Sequence, residues 1–250
     1  MNLSIVIPCY NESDNLKLIL NRFKEVIDNR SIEVIVVDNG STDNTSEILD
    51  EILINYPFTK RVKVEINKGY GYGILYGLKF AKSDYVGWTH ADMQTDPLDV
   101  IKAYDIIYKN NNRNIFVKGN RKGRPIFDNI FTFGMSLFET IFFRTNMFDI
   151  NAQPNIFPYD FYKTWENPPY DFALDLYAFY MAKINHLKFI RFNVSFPKRV
   201  FGKSKWNNGI KSKIKFIKRT LDFSFKLKKE LDKKWMVFLK YQNMQDIDLI

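Results

Sequence analysis

Two rhythms of apolar and polar positions alternate through the first half of the chain. Short apolar runs bounded by polar residues read as buried strands, and the amphipathic stretches between them read as helices. Strands are predicted at Leu3–Ile7, Glu33–Val37, Val62–Ile66, Tyr85–Trp88 and Ile115–Lys118. Helices are predicted at Ser13–Ile27, Asn44–Ile54, Tyr70–Ala81 and from Pro97 to about Tyr108. Ser13 suits an N-cap, and Pro97 suits a first helical position. Repetition of this strand–helix unit predicts a parallel sheet with helices on both faces.

The second half is less regular. Ile126–Phe143 reads as an aromatic-rich helix, Asn151–Pro169 as a loop, Phe172–Lys183 as a helix, Phe189–Phe196 as a strand and Lys198–Asn208 as a basic loop. From Ile210 to Trp235 apolar residues follow near-helical spacing with lysines between them, which predicts a basic amphipathic helix or a pair of helices. The simplest division is one domain over residues 1–205, with a helical segment over 206–250 packed on it.

Composition narrows the class. At 250 residues, 46% hydrophobic and 26% charged, the chain is globular rather than disordered or fibrous. The single cysteine, Cys9, excludes an internal disulfide and a cysteine-cluster zinc site, and fits a reducing compartment. With no basic segment ahead of its first apolar run and no long apolar stretch, neither a signal peptide nor a transmembrane helix is expected, which points to the cytoplasm. The net charge of +9 is uneven: residues 1–125 hold 17 basic and 16 acidic side chains, residues 126–250 hold 20 and 12. The excess, concentrated between Lys198 and Lys240, points to an anionic partner: phosphate, nucleic acid or a membrane surface.

In open parallel sheets ligands bind beyond the carboxyl ends of the strands. Four predicted strands lead into polar sets there: Pro8–Glu12, Asp38–Asp43, Asn67–Gly69 and Thr89–Gln94. A dinucleotide site is disfavoured, because the turn after the first strand holds no glycine to admit a pyrophosphate. The glycines at 69, 71, 73 and 77 come later and read as permitting a helix to approach the sheet. His90, Asp92 and Gln94 alternate, so in extended chain they face one way. Such a set can hold a hard divalent ion that also binds a diphosphate. The alternative is a strand-end His and Asp bonded to backbone.

With these strand ends assembled, the chain resembles the inverting nucleotide-sugar glycosyltransferases of family 2. The runs VIPCYNES, VVDNGSTDNT and NKGYGYGILYGLKFAKSDYVGWTHADMQTDP stand in the family's order from Leu3 to about Pro97. The last is similar to the branch containing dolichyl-phosphate mannose synthase and its bacterial polyprenyl-phosphate relatives. Gly119-Asn120-Arg121 resembles that branch's G-S-R segment, and Arg199 with Gly202-Lys203-Ser204-Lys205 resembles its R-x-x-G-x-S-K segment.

The resemblance implies an α/β GT-A fold, a Rossmann-like, mostly parallel sheet with a C-terminal helical elaboration. It implies transfer of a sugar from a UDP- or GDP-sugar to a polyprenyl-phosphate or saccharide acceptor, in polysaccharide or glycoconjugate biosynthesis. Pro8, Tyr10 and Glu12 would line the nucleoside pocket, Asp38 would bond the base or ribose, and Lys68 would sit near the base or phosphates. Ala91 and Asp92 would also border the donor. Asp92 and Gln94 would bind Mg²⁺ or Mn²⁺ to neutralise the leaving nucleoside diphosphate, which makes Asp92 catalytic. Arg121, Arg199, Ser204 and Lys205 would hold phosphate groups; a solvated basic loop is the alternative.

Two residues depart from the family pattern. His90 stands where an Asp is usual, and is a metal ligand, a donor to the diphosphate or a bystander. Asn39 replaces the second Asp of D-D-G-S, removing a charge and keeping an acceptor. The general base is expected at Asp175, or at Asp171 one helical turn before it; a carboxylate merely favoured at a helix start is the alternative. Ile126–Phe148 and the basic C-terminal helix are expected either to rest on an anionic membrane or to be core and solvated face. Two other functions compete: a catalytically inactive protein of the same fold, and a nucleic-acid-binding module. The near-neutral first half and the lack of a recognition motif disfavour the latter.

Overall fold

The computed structural model describes residues 1–110, 113–124, 126–197, 199, 201 and 210–247. Seven strands form one sheet: β1 (Leu3–Cys9), β2 (Ile32–Asn39), β3 (Thr59–Val64), β4 (Tyr85–Trp88), β5 (Ile115–Lys122), β6 (Asn155–Pro158) and β7 (Lys188–Ser195). Their spatial order is β3-β2-β1-β4-β6-β5-β7. All pairings are parallel except those of β6, which runs antiparallel to both neighbours.

The helices cover both faces: α1 (Ser13–Ile27), α2 (Thr45–Ile52), α3 (Tyr70–Leu78), α4 (Pro97–Asn110), α5 (Ile126–Phe143), α6 (Tyr159–Lys163), α7 (Ala173–Ile184) and α8 (Ile210–Ile247). Leu16, Ile19, Leu20 and Phe23 line the buried stripe of α1 and join one core cluster with Val34 and Val36. Each such side chain contributes about 1.5–3 kcal/mol by leaving water. Ile35, Val37, Ile74, Leu78 and Phe157 belong to the second cluster, on the opposite face. Gly77 lets α3 lie against the sheet, since a Cβ there would meet Val6 and Val37 at 2.6 and 2.7 Å.

The first half follows its predicted rhythm, and five details along the chain differ. Ser13 opens α1 rather than capping it; Glu12 holds the cap position without a side-chain capping bond. The 90–94 segment is not extended: β4 stops at Trp88, and Met93 adopts a left-handed φ of 58°. β5 runs through Gly119–Arg121 to Lys122, because β7 pairs with it along its whole length. The 151–169 stretch contains β6 and α6 instead of loop alone. β6 is too short to display a period, and it inserts between β4 and β5, pairing antiparallel with both. Asp171 precedes α7, so it and Asp175 do not share a helix face; its Oδ1 instead accepts the Ala173 N–H at 2.9 Å.

A single helix, α8, accounts for the C-terminal periodicity. It lies on α5 and α7 through Phe225 against Phe142 and Phe223 against Tyr177. Buried Glu139 of α5 accepts from Ser224 of α8 at 2.8 Å. The expected boundary at 205/206 falls outside the described residues.

Candidate active site

The chain leaves β1 toward β2 on one side and later returns to β4 on the other, so a crevice opens above the carboxyl ends of β1 and β4. Glu12, just past β1, and Asp92, just past β4, face each other across it. The guanidinium of Arg199, which follows β7, sits between them. Its NH2 lies 2.7 Å from Asp92 Oδ2 and its NH1 3.6 Å from Glu12 Oε1. Arg199 Nε also donates to Gln94 Oε1 at 3.3 Å. Gln94 is fixed by donating its side-chain amide to the Pro197 carbonyl at 3.0 Å and its backbone N–H to Asp92 Oδ1 at 3.1 Å. This Asx-type turn, rather than strand alternation, brings Asp92 and Gln94 together.

The β1–β2 side of the crevice is built from interlocked loops. The Asn11 N–H donates to Ser41 Oγ at 3.1 Å, and Asn11 Oδ1 accepts the Thr42 N–H at 2.8 Å. The Glu12 N–H donates to Thr45 Oγ1 at 3.1 Å. Asp38 is buried; Oδ1 accepts the Ser41 N–H at 3.0 Å, while Oδ2 is buried without a hydrogen bond. Arg61 NH2 pairs with this oxygen at 3.8 Å, beyond hydrogen-bond distance, so Oδ2 keeps its capacity to accept from a donor. Asn39 does something an Asp could not: its amide N–H donates to the Gly69 carbonyl at 2.9 Å, pinning the 67–69 loop to β2. Lys68 on that loop is exposed, with Nζ 5.1 Å from the Tyr72 ring. Pro8 and Tyr10 are half-buried at the end of β1, whereas the Ala91 methyl is buried in the core.

Beneath the crevice lies a network that the sequence did not reveal. Asp175 is 2% exposed, and its Oδ1 accepts from Trp88 Nε1 (3.0 Å), Gln153 Nε2 (2.9 Å) and Asn155 Nδ2 (3.1 Å). Lys118, fully buried, donates to the Ala152 carbonyl at 2.8 Å and to Asn155 Oδ1 at 2.6 Å. Gln153 also reaches the Tyr70 hydroxyl, and the Tyr70 ring lies 6.2 Å from His90. Burial raises the Asp175 carboxyl above its usual range against the opposing charge of Lys118. Burial likewise lowers the Lys118 ammonium to about 7, despite Asp175. Burial also lowers His90, outweighing the pull of Asp92 and Asp175, so its imidazole is neutral near pH 7. The only sequence signal for the network is a lysine directly after the apolar run Ile115–Val117.

Two expected placements are not met. Asp175 anchors buried donors instead of meeting the crevice, where a general base must reach the acceptor's proton. Arg121 is not free to take a phosphate: its side chain is 6% exposed, and its Nε and backbone N–H both donate to Asp149 at 2.9 Å. Burial would raise Asp149, but the charge and bonds of Arg121 outweigh it and hold the carboxyl below its usual value. Ser204 and Lys205 lie outside the described residues.

The donors suit a hard divalent cation in part. Asp92 and Gln94 offer two oxygens that already converge on one cationic group. Among the described residues no cluster of three His, Cys, Asp or Glu side chains could hold a metal. One or two protein oxygens completed by substrate phosphates is a usual Mg²⁺ arrangement.

Comparison with known proteins places these features in context. The sequence profile of "Glycosyl transferase family 2" matches residues 4–159. An undecaprenyl-phosphate 4-deoxy-4-formamido-L-arabinose transferase of Edwardsiella ictaluri is 36% identical over 116 residues, covering 42% of this chain and 35% of that protein. A dolichol-phosphate mannosyltransferase of Pyrococcus furiosus is 31% identical over 124 residues, covering 48% and 35%. The match thus spans about a third of these relatives' length. Glucosyl-3-phosphoglycerate synthase from Mycobacterium tuberculosis, solved with Mn²⁺ and UDP-glucose, superposes with a TM-score of 0.69 at 16% identity, covering 89% of this chain and 78% of that one. A mannosyltransferase from Pyrobaculum calidifontis, solved with GDP-mannose and Mn²⁺, gives 0.60 at 18%, covering 80% and 58%. The shared fold is GT-A.

Proposed function

Since the chain belongs to glycosyl transferase family 2, we propose that it moves a sugar from a UDP- or GDP-sugar to a polyprenyl-phosphate or saccharide acceptor, with inversion, in glycoconjugate or polysaccharide synthesis. The observation that carries this reading is the convergence of Glu12, Asp92 and Gln94 on one cationic group at the switch point of the sheet. A nucleoside diphosphate is the ligand such a crevice suits.

In this reading Pro8, Tyr10 and Glu12 border the nucleoside, and the unmet Asp38 Oδ2 accepts from the base or ribose. Lys68 reaches the base or phosphates, and Ala91 contributes backbone alone. Asp92 and Gln94 would hold Mg²⁺ or Mn²⁺, which neutralises the leaving diphosphate when bound. Neutral His90 donates a hydrogen bond to diphosphate oxygen. Arg199, joined by Ser204 and Lys205, takes phosphate through its planar fork. Arg121 supports that wall through Asp149. Asp175 is a positioning residue that holds Trp88, Gln153 and Asn155. An anionic polyprenyl phosphate needs little help from a base, so this placement favours it over a saccharide hydroxyl.

A membrane-borne acceptor also fits the outer surface. No helix of the described residues is long and apolar enough to cross a membrane. Yet α5 turns Ile130 (63% exposed), Phe133, Leu137 and Ile141 (69%) outward on one uncharged face. On α8, Ile214 and Phe225 are exposed, with Lys218 and Lys229 on the same side. Phe225 against Phe142 joins the two helices. A patch of this kind rimmed by lysines suits peripheral binding to an anionic bilayer, here the cytoplasmic face. Residues 1–205 then form the catalytic unit, and 206–250 form the basic segment packed on it.

The test is transfer of labelled sugar from UDP- and GDP-sugars to undecaprenyl phosphate, with Mn²⁺, Mg²⁺ or EDTA. Transfer with one donor, lost in Asp92→Asn, is expected. No transfer and no thermal stabilisation by any donor would move the reading to an inactive protein of this fold.

A further inference from the structure

On the flank of α3 a cleft of about 390 Å³ opens against the segment that joins α6 to α7. Tyr72 and Tyr76 come from α3; Tyr162, Trp165 and Tyr170 come from the opposing segment. Lys79 and Lys163 also line it, and among the described residues no acidic side chain does. Its volume lies at the small end of the ~300–1,000 Å³ typical of small-molecule sites.

The walls are fixed. The Tyr72 N–H donates to the Tyr170 carbonyl at 2.9 Å. At Gly71 a Cβ would stand 2.6 Å from the carbonyls of both Pro169 and Asp171, so only a glycine lets the 169–171 backbone come this close. The Tyr72 and Tyr76 rings stack at 5.9 Å with 14° between planes, and Tyr170 meets Tyr72 edge-on at 5.2 Å.

The polar edges of this aromatic wall are unspent. Trp165 Nε1 is buried and has no hydrogen-bond acceptor. A buried indole N–H without a partner calls for a water or a ligand. Among the described residues the hydroxyls of Tyr72, Tyr76, Tyr162 and Tyr170 make no intramolecular hydrogen bond.

We propose that this cleft is a saccharide-binding site separate from the donor crevice. A pyranose ring carries an apolar C–H face and a rim of hydroxyls. Flat phenol and indole faces match the first, and the tyrosine O–H groups match the second. Lys79 adds a donor to sugar oxygens. The two sites share a wall, since Lys68 lies over the Tyr72 ring at 5.1 Å. A saccharide held here would lie beside the crevice without filling it.

The test is saturation-transfer NMR on the full chain, without nucleotide, using maltose, cellobiose, mannobiose and diacetylchitobiose. Saturation of ring C–H protons is expected for at least one of them. The double substitution Tyr76→Ala/Tyr170→Ala should weaken binding about tenfold or more, with donor-induced stabilisation unchanged. Because Tyr170 is largely exposed, Tyr170→Ala alone serves as the check on folding. No saturation of any of the four disaccharides, or saturation that survives the double substitution, overturns the proposal. The measurement uses no donor, so its failure leaves the transferase reading standing, and failed sugar transfer leaves the cleft untouched.

Discussion

Arg199 NH2 lies 2.7 Å from Asp92 Oδ2, so a residue beyond the last strand neutralises the carboxylate at the end of β4. A divalent cation at Asp92 must compete with that guanidinium. Removing it with Arg199→Ala should therefore tighten Mn²⁺ binding in the absence of nucleotide by about tenfold, read by the EPR signal of free Mn²⁺. If Arg199 takes phosphate as proposed, the same change should also weaken acceptor use. Unchanged Mn²⁺ affinity would mean that Arg199 and the metal occupy different places.

Asp92→Asn keeps the shape and removes the charge. It should lower sugar transfer at least ~100-fold, in line with loss of an electrostatic stabiliser at a leaving group. Gln94→Ala should cost less, about 10-fold, because only one neutral oxygen is lost. Turnover by Asp92→Asn within a factor of two or so of wild type would move the metal elsewhere.

The role of Asp175 is decided by its pH behaviour. As a positioning residue, Asp175→Asn should lower kcat by ~10-fold and leave the acidic limb of the rate profile in place. A general base would lose several orders of magnitude and that limb with it. Steady-state rates from pH 5 to 9 (roughly the range that brackets both limbs) separate the two.

Lys118 lies on the stability side of the same network. Lys118→Met leaves the Ala152 carbonyl and Asn155 Oδ1 unmet and Asp175 without its nearest buried cation. Breaking a buried charged contact from one side costs about 3–5 kcal/mol. Urea denaturation should show that loss, and Lys118→Arg should not restore it, since the larger head has no room in a fully buried site.

Glu139 makes the joint between α5 and α8 sensitive to pH. Burial raises its carboxyl to about 7 against the single bond from Ser224. The folded chain then holds a proton that the unfolded chain releases near the ordinary value of about 4.5. Stability conferred at acid pH is therefore lost as pH rises from about 4.5 to about 7, up to roughly 3 kcal/mol. Glu139→Gln should raise the melting temperature at pH 8 and leave it unchanged at pH 3.5 (each about one unit outside that window). An equal effect at both would place the cost in packing instead of ionisation.

Much of the donor half was legible in the sequence because each strand is locally encoded. The apolar runs of β1, β2 and β4 end in Glu12, Asp38 and Asp92, and the sheet only has to align them. The remainder depended on contacts distant in sequence. β6 has four residues and no visible period, so the anchor made by Gln153, Asn155 and Asp175 stayed hidden. Arg121 looked free because nothing in its own segment announces Asp149, 28 residues away. Asn39 looked like a weakened acid, but it is a donor to Gly69, a role that identity with the family motif could not disclose.

The antiparallel β6 has a consequence for how this chain can be taken apart. It ends at Pro158, and the family profile ends at residue 159. The strand is therefore a seam: the elements before it carry Glu12 and Asp92, and the elements after it lie beyond the region the family profile matches. Among the contacts that cross the seam backwards are those of Asp175 to Trp88 and of Arg199 to Asp92. A chimera joined at this seam keeps a working crevice only if its borrowed half supplies a carboxylate and a guanidinium at those two points.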